Sequence, residues 1–156
     1  NNQMKIAKIF LLIIFFFQAS CGYKIANNIE NYKFFISDYE LNGERKINNL
    51  LENNFKRFQQ KQSLPKTYKL ITNSKIIKTT TSKDAAGNDL TYRIEIFIDI
   101  DVVKVDNSKN QISFSEKTDY NTAQSKFELK QYEEILIRDL VNQVIFKINN
   151  YLSAVQ

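Results

Sequence analysis

The 156 residues contain no histidine and no tryptophan, one cysteine, one proline and three glycines. Without histidine the usual general base at neutral pH is missing, and so is every Ser-His or Cys-His nucleophile pair. A single cysteine excludes an intramolecular disulfide framework, and with no imidazole almost no soft metal ligands remain. Gly22, Gly43 and Gly87 are not spaced for a phosphate-cradling loop. So little glycine and proline also excludes a collagen-like or Pro-rich linker protein. No catalytic residue, no metal ligand set and no cofactor is expected, and binding is a better expectation than catalysis.

What is present suits one ordinary domain with a terminal appendage. Hydrophobic residues make up 43% and charged ones 25%, which is the globular range. Lysine and arginine number 22 against 17 acids, a formal charge of +5. The chain also holds 18 asparagines, 18 lysines and 20 isoleucines, a bias that AT-rich codons produce without selection for function. A basic balance favours phosphate-bearing partners, but does not choose among nucleic acid, phospholipid and lipopolysaccharide.

Residues 1–20 read as an export signal rather than as fold. Lys5 and Lys8 precede the apolar run Ile9 to Phe17, and the small residues Ala19 and Ser20 follow. That run is too short to span a bilayer, which takes roughly 20 apolar residues. Met4 is the natural start, with Asn1 to Gln3 upstream of it. Ala19-Ser20-Cys21 resembles the bacterial lipobox, with Gln18 where leucine is usual. The resemblance implies lipidation of the Cys21 thiol. Three acyl chains, at about 0.8 kcal/mol per buried CH₂, would hold the protein on a membrane almost permanently. Gly22 rather than aspartate after the cysteine resembles the sorting signal for the outer membrane. Residues 21–32 then form a lipidated tether, and residues 33–156 a single domain.

Periodicity within that domain alternates between two and 3.6. Lys33–Leu41 reads as a strand in which Phe35, Ser37 and Tyr39 alternate with Phe34, Ile36 and Asp38. Asn42 is the expected N-cap of a helix reaching about Lys61, with Ile47, Leu50, Leu51, Phe55 and Phe58 on one face. Pro65 closes the connection. Thr67–Thr81 is β-rich, with a bulge or turn expected at Asn73-Ser74, and Lys83–Asn88 is a hairpin loop. Tyr92, Ile94, Ile96, Ile98, Ile100 and Val102 then occupy every second position, the pattern of a sheet covered on one side only. A turn at Asp106–Asn110 leads to a return strand, Ile112–Tyr120. Ser125 and Glu128 form a capping box ahead of a helix from Lys126 to about Tyr151. The order β-α-β-β-β-α predicts an α+β two-layer sandwich: two amphipathic helices on one face of a four-stranded, mostly antiparallel sheet.

Candidate chemistry is sparse. Glu95, Asp99 and Asp101 share one face of a strand but fit a solvated surface beside Arg93 and Lys104 better than an acid/base or hard-metal site. Glu133, Glu134 and Asp139 fit exposed pairing with Lys130 and Arg138 on their own helix. The distribution of cations is less ordinary. Residues 53–83 hold eight basic side chains and no acid, whereas residues 90–120 hold four basic and six acidic. Lys66, Lys69, Lys75 and Lys78 are therefore the candidate anion-binding residues, with lipopolysaccharide phosphates as the ligand. Nucleic acid is not an expected partner, because too few aromatics are interleaved with the lysines for base stacking.

Several short motifs together resemble the LPS-assembly lipoprotein family LptE. They are Ala19-Ser20-Cys21-Gly22-Tyr23, the early helix after one strand, Tyr120-Asn121, Ser125-Lys126-Phe127-Glu128, and Asp139-Leu140-Val141-Asn142-Gln143-Val144 near the end. This resemblance implies an outer-membrane lipoprotein on the periplasmic side, anchored through N-terminal acyl chains. It would plug and help assemble the LPS-translocation β-barrel LptD and bind lipopolysaccharide during its delivery. An auxiliary periplasmic lipoprotein of a lipid-transport ABC system is the alternative, and a lipid-anchored hydrolase a distant third.

Overall fold

The computed structural model describes residues 32–59, 66–123 and 125–155. The signal segment, Cys21 and the tether up to residue 31 lie outside the described residues. The elements run β1 (Phe35–Gly43), α1 (Arg45–Gln59), β2 (Thr67–Lys83), β3 (Asp89–Lys104), β4 (Lys109–Asn121) and α2 (Lys126–Ala154). This is the expected β-α-β-β-β-α order. The sheet order is β1-β2-β3-β4, with β1 and β2 parallel and the other neighbours antiparallel. Both helices cover the same face. α1 lies mainly on β1, α2 on β4 and β3, and the two helices touch each other.

The core follows from the two periods. Even-numbered residues of β3, from Ile94 to Val102, are buried, and Leu70, Thr72 and Ser74 of β2 share that inner face. Ile47, Leu51, Phe55 and Phe58 of α1 recur at four, four and three residues and are fully buried. Each such side chain contributes about 1.5–3 kcal/mol through burial. Leu140, Val141, Val144, Ile145, Ile148 and Leu152 complete the core from the second half of α2. The first half is less covered, and Tyr132 and Ile135 stay exposed.

Three local expectations need correction. The alternation of β1 breaks at a bulge between Ile36 and Asp38, so Ile36, Tyr39 and Leu41 face the helices while Asp38 and Glu40 face out. Asn42 is the penultimate residue of that strand, not a helix cap. Gly43, at φ +96°, turns the chain, and the Glu44 N–H donates to the Ser74 carbonyl at 3.1 Å. A side chain on Gly43 would meet that carbonyl oxygen at 2.0 Å, which is why glycine stands there. The expected interruption at Asn73-Ser74 is also absent. Both residues pair regularly with Asp99 and Ile98, and the irregularity comes later, after Thr80. Ser74 is buried, and its hydroxyl lies 2.8 Å from Asn48 Oδ1 and 3.2 Å from the Asn42 carbonyl, tying the β1–α1 corner to β2.

The connections obey turn chemistry. Asp84 accepts from the N–H groups of Ala86 and Asn88 and from the Asn88 amide, and Gly87 supplies the positive φ. Ser125 caps α2, accepting from the N–H groups of Phe127 and Glu128. At the far end of α2, Lys66 Nζ donates to the Ser153 carbonyl at 2.8 Å and the Tyr68 hydroxyl to the Val155 carbonyl at 3.0 Å. Lys66, just before β2, and Tyr68 within it therefore fasten the last turn of α2.

Candidate functional site

Four lysines, Lys66, Lys69, Lys75 and Lys78, carry the expected anion site, and strand parity divides them. Lys69 and Lys75 are on the open face of the sheet, opposite Val103 and Phe97 of β3. Lys66 and Lys78 share the parity of the buried positions and reach the helix side. At about 3.3 Å per residue, Lys69 and Lys75 stand ~20 Å apart and Lys66 and Lys78 ~40 Å apart. No single phosphate group bridges such distances. The structure does not gather these four side chains into one pocket.

Three of the four already have partners. The Lys66 ammonium is spent on the Ser153 carbonyl, where a cation also favours the negative end of the helix. Lys69 sits 3.0 Å from Asp38, its neighbour across the parallel pair. The bond and charge of that ammonium, aided by the Tyr39 N–H, hold the Asp38 carboxyl below its ordinary range. Lys78 lies 2.5 Å from Glu133 Oε1 on α2 and 4.2 Å above the Tyr92 ring. Lys75 is exposed and has no ion pair among the described residues.

A cluster that charge counting missed surrounds Lys78. Glu133 Oε1 also accepts from the Tyr120 hydroxyl at 2.7 Å, and Tyr120 packs against Tyr92 and Tyr132 at centroid distances of 5.6 and 6.1 Å. Burial and the Glu133 carboxylate push the Tyr120 phenol well above its ordinary range. The cluster joins β2, β3, β4 and α2 at the hairpin end of the sandwich. Its one sequence signal was the tyrosine parity, since Tyr92 and Tyr120 pair across β3 and β4. Glu133, 55 residues from Lys78, gave none.

The acids resolve in the same way. Arg93 grips Asp119 through two bonds of 2.7 and 2.9 Å, which lowers the Asp119 pKa. Lys109 lies 2.8 Å from Asp101, and the Ser113 hydroxyl donates to Asp99 at 2.5 Å. Glu134 pairs with Lys46 of α1 rather than with a lysine on its own helix. The basic stretch thus finds its acids outside the acidic one, on β1, α1, α2 and at Asp89, while acids of residues 90–120 pair with Arg93, Lys109 and Lys147. Among the described residues no group of His, Cys, Asp or Glu is placed to hold a metal ion, and no helix is long and apolar enough to cross a membrane.

The fold is that of solved bacterial lipoproteins. Rare lipoprotein B from Shewanella oneidensis superposes with a TM-score of 0.58 at 13% identity, over 75% of this chain and 94% of that one. A minor lipoprotein from Acinetobacter baumannii gives 0.58 at 14%, over 79% and 92%. An uncharacterized lipoprotein B from Nitrosomonas europaea gives 0.56 at 14%, over 85% and 91%. At such identities the likeness establishes a common architecture. No family model matches the sequence, and no curated protein matches it by sequence.

Proposed function

We propose that this chain is an outer-membrane lipoprotein, held on the periplasmic side by acyl chains on Cys21. In this reading it plugs and helps assemble the LPS-translocation β-barrel and binds lipopolysaccharide during delivery. The observation that carries the proposal is the conjunction of a lipobox-like Ala19-Ser20-Cys21 with a fold shared over nearly the whole of three solved lipoproteins. The motifs resembling the LptE family narrow it to the barrel partner. The internally paired surface supports the same reading. A sheet face whose lysines, arginine and acids are matched in pairs is wettable without being strongly charged, which suits the polar interior of a large barrel. The work done is binding and positioning, not bond-making. Lys75, exposed and without an ion pair among the described residues, is the member of the lysine set best able to meet a lipid A phosphate.

The test is recovery of the acylated protein from outer membranes in mild detergent, followed by identification of what accompanies it. A stoichiometric β-barrel is the expected result. Recovery with an inner-membrane ATP-driven transporter and no barrel would overturn the proposal.

A further inference from the structure

One edge of the sheet is half used. The Lys66 carbonyl accepts from the Phe35 N–H at 2.8 Å and the Ser74 carbonyl from the Glu44 N–H at 3.1 Å. Even-numbered residues of β2 therefore turn their backbone groups toward β1, and odd-numbered ones toward β3. β1 stops at Gly43, opposite Ser74, whereas β2 pairs with β3 as far as Lys83. The N–H and C=O groups of Ile76, Lys78 and Thr80 thus point outward along an edge that no strand among the described residues covers. No turn, loop or cap bond among the described residues reaches them.

The exposed rungs are already organised. β3 holds one side of the segment, and the Lys78–Glu133 contact pins it to α2. α1 starts beside Ser74 and packs chiefly on β1. Residues 76–81 are two isoleucines, a lysine and three threonines, a run with high strand propensity. An incoming strand would find three rungs in place and little ordering cost on this side.

We propose that this edge accepts an extended, acid-bearing segment of a protein partner, which continues the sheet along the line of β1. Charge selects the occupant. Of the four lysines of β2, Lys69, Lys78 and Lys83 are paired with Asp38, Glu133 and Asp89, and Lys75, at the mouth of the free edge, has no ion pair among the described residues. A second copy laid antiparallel on the same edge would set lysine against lysine, the usual device against self-pairing. An acid-bearing strand would pair its main chain with the rungs and a carboxylate with Lys75.

Amide hydrogen exchange on the full chain, with and without capped seven-residue peptides, tests this. A peptide alternating glutamate and valine should slow exchange at Ile76, Lys78 and Thr80 by more than about tenfold, leaving Ile77 and Thr79 unchanged. The same peptide with lysine for glutamate, or with every amide N-methylated, should not. Thr80→Pro should abolish the protection, because proline removes an outward N–H and no bond to β3. Lys75→Glu keeps all rungs and should shift the preference from the acidic to the basic peptide, which covers failure of the proline variant to fold. The proposal is overturned if the acidic peptide gives no protection at millimolar concentration. It is equally overturned if the N-methylated peptide protects as well, or if the rungs become protected with protein concentration alone, which would make a second copy the occupant.

Discussion

At Gly43 the backbone sits at φ +96°, and any Cβ would be driven into the Ser74 main chain. Gly43→Ala combines a left-handed conformation with a backbone clash and should cost about 2–4 kcal/mol, read as a lower urea midpoint. Gly87, at φ +87° with nothing near its missing Cβ, has only the conformational penalty, so Gly87→Ala should cost about 1–2 kcal/mol. Tyr120 makes a second prediction at this scale. Its folded pKa is raised, so the stability it confers is complete below the unfolded value near 10.0 and is lost as pH climbs beyond it. Tyr120→Phe should flatten that alkaline loss in a pH series of chemical denaturation. Tyr120 was signalled only by its strand parity, and Gly43 not at all. With Asn42 as the expected cap, Gly43 fell in the first turn of the expected helix; the clash that demands glycine comes from a strand 31 residues later. The division of the lysines was legible in principle, since Lys69 and Lys75 are odd and Lys66 and Lys78 even. A count of charges along the chain discards that parity.

The elements themselves were written more plainly. β3 alternates without a fault, so its buried face was readable residue by residue. Ile98→Asp should cost several kcal/mol by burying an unpaired carboxylate, and a cooperative, fully folded variant in thermal denaturation would contradict the assigned face. α2 was delimited by its cap, and Ser125→Ala should cost about 1 kcal/mol, measured the same way. Two strands were read less well, for physical reasons. In β1 the bulge after Ile36 exchanges the faces, and alternation arguments have no term for an extra residue. In β2 the polar pair Asn73-Ser74 looked like an interruption. Ser74 is instead buried, because its hydroxyl meets the β1–α1 corner, and such a partner is invisible along the chain.

For the molecule as a whole, element order pointed to the two-layer sandwich but not to the neighbours of each strand. The parallel β1–β2 pair depends on α1 carrying the chain back between them, a choice that tertiary packing makes. Charge matching is also a whole-molecule property. Asp38, Asp84, Asp106 and Asp119 have lowered pKa values, through Lys69, Asn88, Ser108 and Arg93 respectively. A depressed carboxyl stabilises above its unfolded pKa of about 3.9 and ceases to do so as pH falls through the folded value. Stability should therefore be level near neutrality and decline below about pH 4, as followed by circular dichroism through an acid titration. For membrane attachment, Cys21→Ser should move the protein into the soluble fraction without detergent, and continued membrane partition would argue against acylation. The clasp of Lys66 and Tyr68 on the final turn of α2 joins residues 87 positions apart. Both bonds end on backbone carbonyls, of Ser153 and Val155, so they need the helix terminus in place but no particular side chain there. Unlatching the clasp with Lys66→Ala and Tyr68→Phe should let the C-terminal turn of α2 fray, read as faster amide exchange there while the sheet is unchanged.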